Sequence, residues 1–195
     1  MSRDAGPPPR VTLAEYLTRE AEATTKHILW DGEVFSVEAM SGGTLEHNTI
    51  CANVIVSLGL ALRGGPCRVV TSDQKLWVPS KEGFVYPDAM VLCGAVVRHP
   101  GAPDVVTNPA VIVEVLSEGT ERFDRGDKFE GYRAIASLRH YLMVSSRHVA
   151  VEHYVRAGGD TWLLHPYRAG ETVQLRAPDL ALDVDALYAM AFDAG

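Results

Sequence analysis

Val111-Ile112-Val113-Glu114-Val115-Leu116 is the stretch on which the reading of this chain turns. A run this apolar predicts a strand covered on both faces and therefore central in its sheet. Glu114 interrupts it. An ionised carboxylate among aliphatic neighbours is costly unless a cation or a charge partner receives it. The residue is therefore a candidate site, the competing reading being an edge position that points to solvent.

Upstream stands Tyr86-Pro87-Asp88-Ala89-Met90-Val91, within a strand expected over 84–92. Pro87 removes a ladder donor, which suggests a bulge or strand end at Asp88. Alone, Asp88 reads as an ordinary turn aspartate. With Glu114 on the next strand, the two carboxylates can project from one sheet face and offer the hard oxygen ligands that Mg²⁺ or Mn²⁺ takes. Downstream, Ser117 to Thr120 opens a helix expected over 121–136. Lys128, Tyr132 and Ile135 share one of its faces by i, i+4, i+7 spacing, which leans Lys128 toward the end of the Glu114 strand. A solvated lysine paired with Asp124 or Asp127 is the alternative.

Around this centre the pattern predicts a helix opened by a capping box at Thr12-Leu13-Ala14-Glu15, a hairpin about Asp31-Gly32, and a helix over 46–63 with Ile50, Val54, Ile55, Leu58 and Leu62 as its apolar stripe. A strand is expected over 68–78, a polar proline-bearing loop at 100–109, four short strands after the third helix, and a last helical stretch over 184–192. The fold class is α/β or α+β: a mixed β-sheet flanked by helices, with an N-terminal hairpin and a C-terminal antiparallel extension. Residues 1–11, with Pro7-Pro8-Pro9, are expected as a loose arm and 12–195 as a single domain.

The chain has 195 residues, 47% hydrophobic and 22% charged, which excludes a disordered or fibrous protein. No apolar run approaches a membrane span, so no membrane association is expected. A net charge of -7 argues against a non-specific nucleic-acid coat, though not against carboxylates that bind a cation. Cys51, Cys67 and Cys93 are odd in number and widely spaced, which predicts reduced, buried thiols in a cytoplasmic protein. Asp73-Gln74-Lys75 has acid-x-lysine spacing on an expected strand, but its polar neighbours make it a solvated face first and a site rim second. The seven histidines form no H-x-x-x-H pattern, and neither a nucleophile elbow nor a P-loop is present.

Tyr86-Pro87-Asp88, Asn108-Pro109 leading into Val113-Glu114-Val115-Leu116-Ser117, Asp124-Arg125-Gly126-Asp127-Lys128 and Tyr132-Arg133 together resemble the Uma2 family, bacterial proteins similar to restriction endonucleases of the PD-(D/E)XK type. The likeness extends from Thr12-Leu13-Ala14-Glu15-Tyr16-Leu17 through Asp31-Gly32-Glu33 and Glu46-His47-Asn48 to Val149-Ala150-Val151-Glu152-His153-Tyr154. It implies that Asp88 is the first acid of the nuclease motif and Glu114 the second. The motif's lysine, two residues on, is here Leu116, so Lys128 from the following helix would fill its place. Glu46 matches an additional helix-borne acid, its other reading being a helix-dipole or capping glutamate. The resemblance further implies Mg²⁺, with Mn²⁺ possible in its place, held by Asp88, Glu114 and the Val115 carbonyl, DNA as substrate, and a homodimer. Arg122, Arg125 and Arg133 could touch flanking phosphates or pair with Glu118, Glu121 and Glu130. The alternative function is a catalytically silent nuclease-fold dimer acting as a binding or regulatory module.

Overall fold

The computed structural model describes residues 10–37 and 43–192. Chain order is α1 (Leu13–Glu22), β1 (His27–Trp30), β2 (Glu33–Ser36), α2 (Leu45–Ala61), β3 (Cys67–Thr71), β4 (Leu76–Val78), β5 (Gly83–Val85), β6 (Ala89–Cys93), β7 (Arg98–His99), β8 (Ala102–Val106) and β9 (Pro109–Leu116). Next comes a helical run, α3, made of Glu121–Phe123, a π-turn Asp124–Lys128, and Phe129–Arg133. Then follow β10 (His140–Ser145), β11 (Val151–Gly158), β12 (Thr161–Tyr167), β13 (Thr172–Leu175), β14 (Leu180–Asp183) and α4 (Val184–Leu187).

The stretch around Glu114 is β9, and it is central. It lies inside a six-stranded mixed sheet of order β12-β11-β10-β9-β6-β3, parallel to β10 and antiparallel to β6. Both faces are covered, as its composition requires. Val111, Val113 and Val115 pack with Ile50, Val54 and Leu58 of α2 and with Val173, Leu175 and Leu182 of the β13–β14 hairpin. Ile112 and Leu116 face the other way, toward Tyr132 and Ile135 and toward Trp30, Leu76, Val78 and Val85 of a second six-stranded sheet, β2-β1-β5-β4-β8-β7. Glu114 has the parity of this second face.

The architecture is the expected mixed sheet flanked by helices, with the hairpin β1–β2 and the antiparallel β10–β11–β12 extension. It also contains more than was expected. The strand expected over 84–92 is broken at Tyr86-Pro87-Asp88, where the chain leaves the second sheet (β5) and enters the central one (β6). Pro87 lacks the N–H that a continuous ladder would need there. The strand expected over 68–78 is likewise two, because the chain turns after Thr71, with Gln74 N–H donating to the Thr71 carbonyl at 3.0 Å. Asp73 and Lys75 consequently share no strand face: Asp73 pairs with Lys26, and Lys75 with Asp104 at 3.5 Å. The loop expected at 100–109 contains β8 and leads into β9, with Ala102, Val105 and Val106 buried. Pro100, Pro103 and Pro109 had masked that strand.

The expectation of free thiols is corrected for two cysteines. Cys67 and Cys93 face one another across the β3–β6 pair and form a disulfide. They are 26 residues apart in sequence, and only the strand register brings them together. Cys51 is free. The premise for expecting a reducing compartment is thereby removed. No helix among the described residues is long and apolar enough to cross a membrane.

Residues 1–9 of the expected arm lie outside the described residues, as do Glu38 and Ala39 of the hairpin segment and Ser41-Gly42 of the loop after it. Arg10 and Val11 are anchored, Val11 N–H donating to the Gly32 carbonyl at 2.7 Å. The capping box at Thr12 is formed in full.

One close approach ties this packing to the Glu114 face. A Cβ on Gly131 would stand 2.7 Å from Trp30 Cη2 and 2.9 Å from Val78 Cγ1, so α3 rests on the second sheet through a bare backbone. In an open helix, Gly→Ala stabilises by about 1 kcal/mol. Gly131→Ala is expected to destabilise instead, by about 1–3 kcal/mol, because overpacking outweighs the helix propensity. Urea unfolding checks the sign.

Candidate active site

Glu114 is buried, 3% exposed, and receives its partners from α3. Lys128 Nζ donates to Glu114 Oε1 at 3.0 Å, and the Tyr132 hydroxyl donates to the same oxygen at 2.7 Å. Lys128 Nζ also lies 2.7 Å from Asp124 Oδ1, a contact off hydrogen-bond geometry that is held by charge. The π-turn turns Asp124 and Lys128 inward together, and a single π-turn within a helix is commonest at functional sites. Around them, Phe123 presents its ring 5.7 Å from Lys128 Nζ, and Tyr141 donates to the Asp124 carbonyl at 3.0 Å.

Asp88 reaches the same place from the crossover between sheets. Its Oδ2 accepts from the Val115 backbone N–H at 2.7 Å, which pins the carboxylate beside Glu114's strand. Asp88 keeps 21% of its side chain exposed, so it is the acid that faces solvent while Glu114 forms the floor. Both border a cavity of about 90 Å³ that Lys128, Val115, Ser117 and Tyr86 also line. A water needs ~10–15 Å³ of such space, whereas drug-sized ligands fill pockets of ~300–1,000 Å³. The cavity therefore suits a hydrated cation and a few waters rather than a nucleotide.

Its electrostatics favour a cation. Asp88, Glu114 and Asp124 crowd around one ammonium, so full ionisation would leave an excess of negative charge. Burial, reinforced by the neighbouring carboxylates, raises the pKa of Glu114 against the pull of Lys128. Burial likewise raises Asp88, against the opposing effects of His47 and the Val115 N–H. For Lys128, burial alone would favour the neutral amine, but Glu114 and Asp124 outweigh it and keep the ammonium charged. Glu114 and Asp88 thus bind protons more tightly than free carboxylates do, a divalent cation could compete with those protons, and the donor set fits such an ion.

Asp88, Glu114, Lys128 and Val115 are brought together. Glu46 is not among the residues lining the cavity: its side chain bonds to Thr44 at the start of α2, and that contact lowers its pKa. His47, one residue on, takes the inward position, with Nε2 3.9 Å from Asp88 Oδ2. One of its ring nitrogens, the Cys51 sulfur and an Asp88 oxygen all lie within 4.8 Å of one another. Burial pushes the Cys51 thiol far up, which leaves it a protonated, poor ligand. His47 was missed although it lies seven residues before Val54, on the stripe that α2 buries. Arg125 is engaged elsewhere, with Glu121 at 2.8 Å and Glu152 at 2.6 Å, so no free phosphate contact is available from it.

Removing the ammonium should expose the balance. Lys128→Met leaves buried carboxylates without their counter-charge and is expected to cost about 3–5 kcal/mol, the usual penalty for breaking a buried pair from one side. Guanidinium unfolding monitored by tryptophan fluorescence measures it.

Comparison with known proteins gives the family of the chain. The model of the Uma2 family, described as "Putative restriction endonuclease", matches residues 13–185. Two relatives come from Synechocystis sp. (strain ATCC 27184 / PCC 6803 / Kazusa). The uncharacterized protein slr1290 is 33% identical over 184 residues, covering 94% of each chain. The uncharacterized protein sll1609 is 36% identical over 154 residues, covering 79% of this chain and 85% of its own. Among solved structures, a "putative nuclease belonging to DUF820" from Anabaena variabilis ATCC 29413 superposes with a TM-score of 0.74 at 13% identity, over 93% of this chain and 99% of that one. That likeness is one of fold. With the family model spanning nearly the whole chain, the protein belongs to the Uma2 family of restriction-endonuclease-like proteins.

Proposed function

We propose that this protein is a divalent-metal-dependent endonuclease that hydrolyses DNA phosphodiester bonds, using Mg²⁺ or Mn²⁺. The observation that carries the reading is the meeting of Asp88, Glu114 and Lys128 at one small cavity, one acid from the crossover before β6, the other from β9, and the ammonium from α3. Asp88 and Glu114 would hold the ion together with the Val115 carbonyl, and His47 stands beside Asp88 as a further donor. When bound, such an ion polarises a scissile phosphate and acidifies a bound water. The chain's own residues do the rest. The Val115 N–H orients the Asp88 carboxylate. The Tyr132 hydroxyl shares the Glu114 oxygen with Lys128 and fixes the direction of its second oxygen. An ammonium has three N–H donors, and Glu114 takes one of them from Lys128. Another can align the attacking water and offset charge growing on the phosphate oxygens. The family likeness also implies a two-fold dimer, which the proposal includes, and a solution mass of 21.2 kDa by light scattering would contradict that part.

A second reading, a silent nuclease-fold module for binding or regulation, is favoured by two observations: Lys128 is held by Glu114 and Asp124 at once, and Leu116 occupies the motif's usual lysine position. Nicking of supercoiled plasmid separates the two. Wild type should cut with Mg²⁺ or Mn²⁺, and Glu114→Gln should lose at least about a hundredfold in rate while remaining folded. Equal cutting by both would remove the site assignment. No cutting and no calorimetric metal binding by the wild type would leave the silent module.

The raised acids set a pH signature. Glu114 holds its proton more tightly folded than unfolded, so its contribution to stability is complete below the ordinary carboxylate range and is lost as pH rises through the raised value. The metal-free protein should therefore melt at lower temperature as pH rises from about 5 toward 8. Glu114→Gln should flatten that slope, and Mn²⁺ should restore the wild-type midpoint. Differential scanning calorimetry reads all three.

A further inference from the structure

His140, His153 and His165 show no metal-ligand spacing in the sequence, yet the strand order β10-β11-β12 gathers them. His153 and His165 stand directly opposite in the β11–β12 register, on the face shared with buried Leu142, and not on the face of Glu114. His140 Nδ1 lies 2.9 Å from His153 Nε2, and His140 Nε2 lies 2.6 Å from the Arg176 carbonyl. A carbonyl only accepts, so His140 carries its proton on Nε2. In a neutral pair, Nδ1 then accepts from His153 Nε2–H, which leaves His153 Nδ1 as a bare acceptor. That atom is buried without a partner.

These rings floor a cavity of about 490 Å³ between the central sheet and the end of β13, walled by Arg139, Arg176, His165 and Gln174. No aspartate or glutamate is among the residues lining it, in a chain whose net charge is -7. Arg156 also borders the cavity, but its guanidinium is already bound to the carbonyls of Leu138, Arg133, Ile135 and Gly159. Arg139 gives one N–H to the Ala136 carbonyl and has others to offer, and both Arg139 and Arg176 are exposed. Burial, with His140 and His165 close by, pushes His153 down to about 3, so that ring is neutral while no counter-charge is present.

We propose that this cavity binds a phosphate-bearing anion of mononucleotide size, away from the Glu114 site and independently of it. The volume lies in the range of small-ligand pockets, ~300–1,000 Å³. Arginine forks suit phosphate oxygens. A metal ion is disfavoured by the flanking arginines. Among the described residues, the grouping of donor atoms close enough for an ion is at His47, Cys51 and Asp88 and not here.

Isothermal titration of the full chain with inorganic phosphate and with a deoxynucleoside 5′-monophosphate tests it. Wild type should bind, and the paired variant Arg139→Gln/Arg176→Gln should weaken binding at least about tenfold. His165→Gln, also at an exposed position, should weaken it with little effect on the unfolding midpoint. Glu114→Gln should leave binding unchanged, which separates this site from the proposed nuclease site. A mononucleotide binding about tenfold tighter than phosphate would make the ligand a nucleotide, and equal affinity would make it the free anion. The proposal fails if millimolar phosphate gives no heat, if binding survives the paired arginine variant, or if Glu114→Gln abolishes it. It also fails if a DNA duplex displaces the mononucleotide through the same arginines, because the surface would then be a backbone contact.

Discussion

The structure depends on one ammonium. Lys128 enters the space between two sheets and meets Glu114 and Asp124, with Asp88 on the far side of the cavity. Burying each ion costs several kcal/mol, so the arrangement persists only because the partners are mutual and further satisfied by Tyr132 and the Val115 N–H. Much of the local architecture serves that meeting. The π-turn points two charged side chains inward, Gly131 lets α3 lie against Trp30 and Val78, and the break at Pro87 delivers Asp88 between the sheets.

A carboxylate excess of this kind is poor design for stability and good design for a cation. Burial makes Glu114 and Asp88 hold protons more tightly than they would in water, and an ion with charge to spare could compete for their oxygens. On the proposed reading, stability and function pull in opposite directions at Glu114, as is common where a site is built from buried charge. Lys128 itself moderates the conflict, supplying the positive charge that the Leu116 position does not.

Much of this was legible in the residues. Glu114 stood out because a carboxylate inside an aliphatic strand has few innocent explanations. The i, i+4, i+7 spacing with Tyr132 and Ile135 left Lys128 either leaning to the sheet or solvated, and the family resemblance pointed to the first, which is where it lies. What escaped the reading was long-range. The Cys67–Cys93 bond follows from the β3–β6 register, which no local pattern encodes. The second sheet is assembled from strands of two to five residues, some containing proline or glycine, too short to show a period. His47 was passed over for Glu46 because an acid was sought where the helix phase places an imidazole. Asp73 and Lys75 misled for the opposite reason: their spacing implied a shared strand face, and the chain turns there instead.

On the proposed reading, Asp88 and Glu114 form one cation site completed by Lys128. Anomalous diffraction from a crystal soaked in Mn²⁺ addresses it directly. A single dominant manganese peak is expected within coordination distance of carboxylate oxygens of both Asp88 and Glu114, with Lys128 Nζ close by but not bound to the ion. A peak held by other residues, or none at that cavity while manganese occupies sites elsewhere, would contradict it.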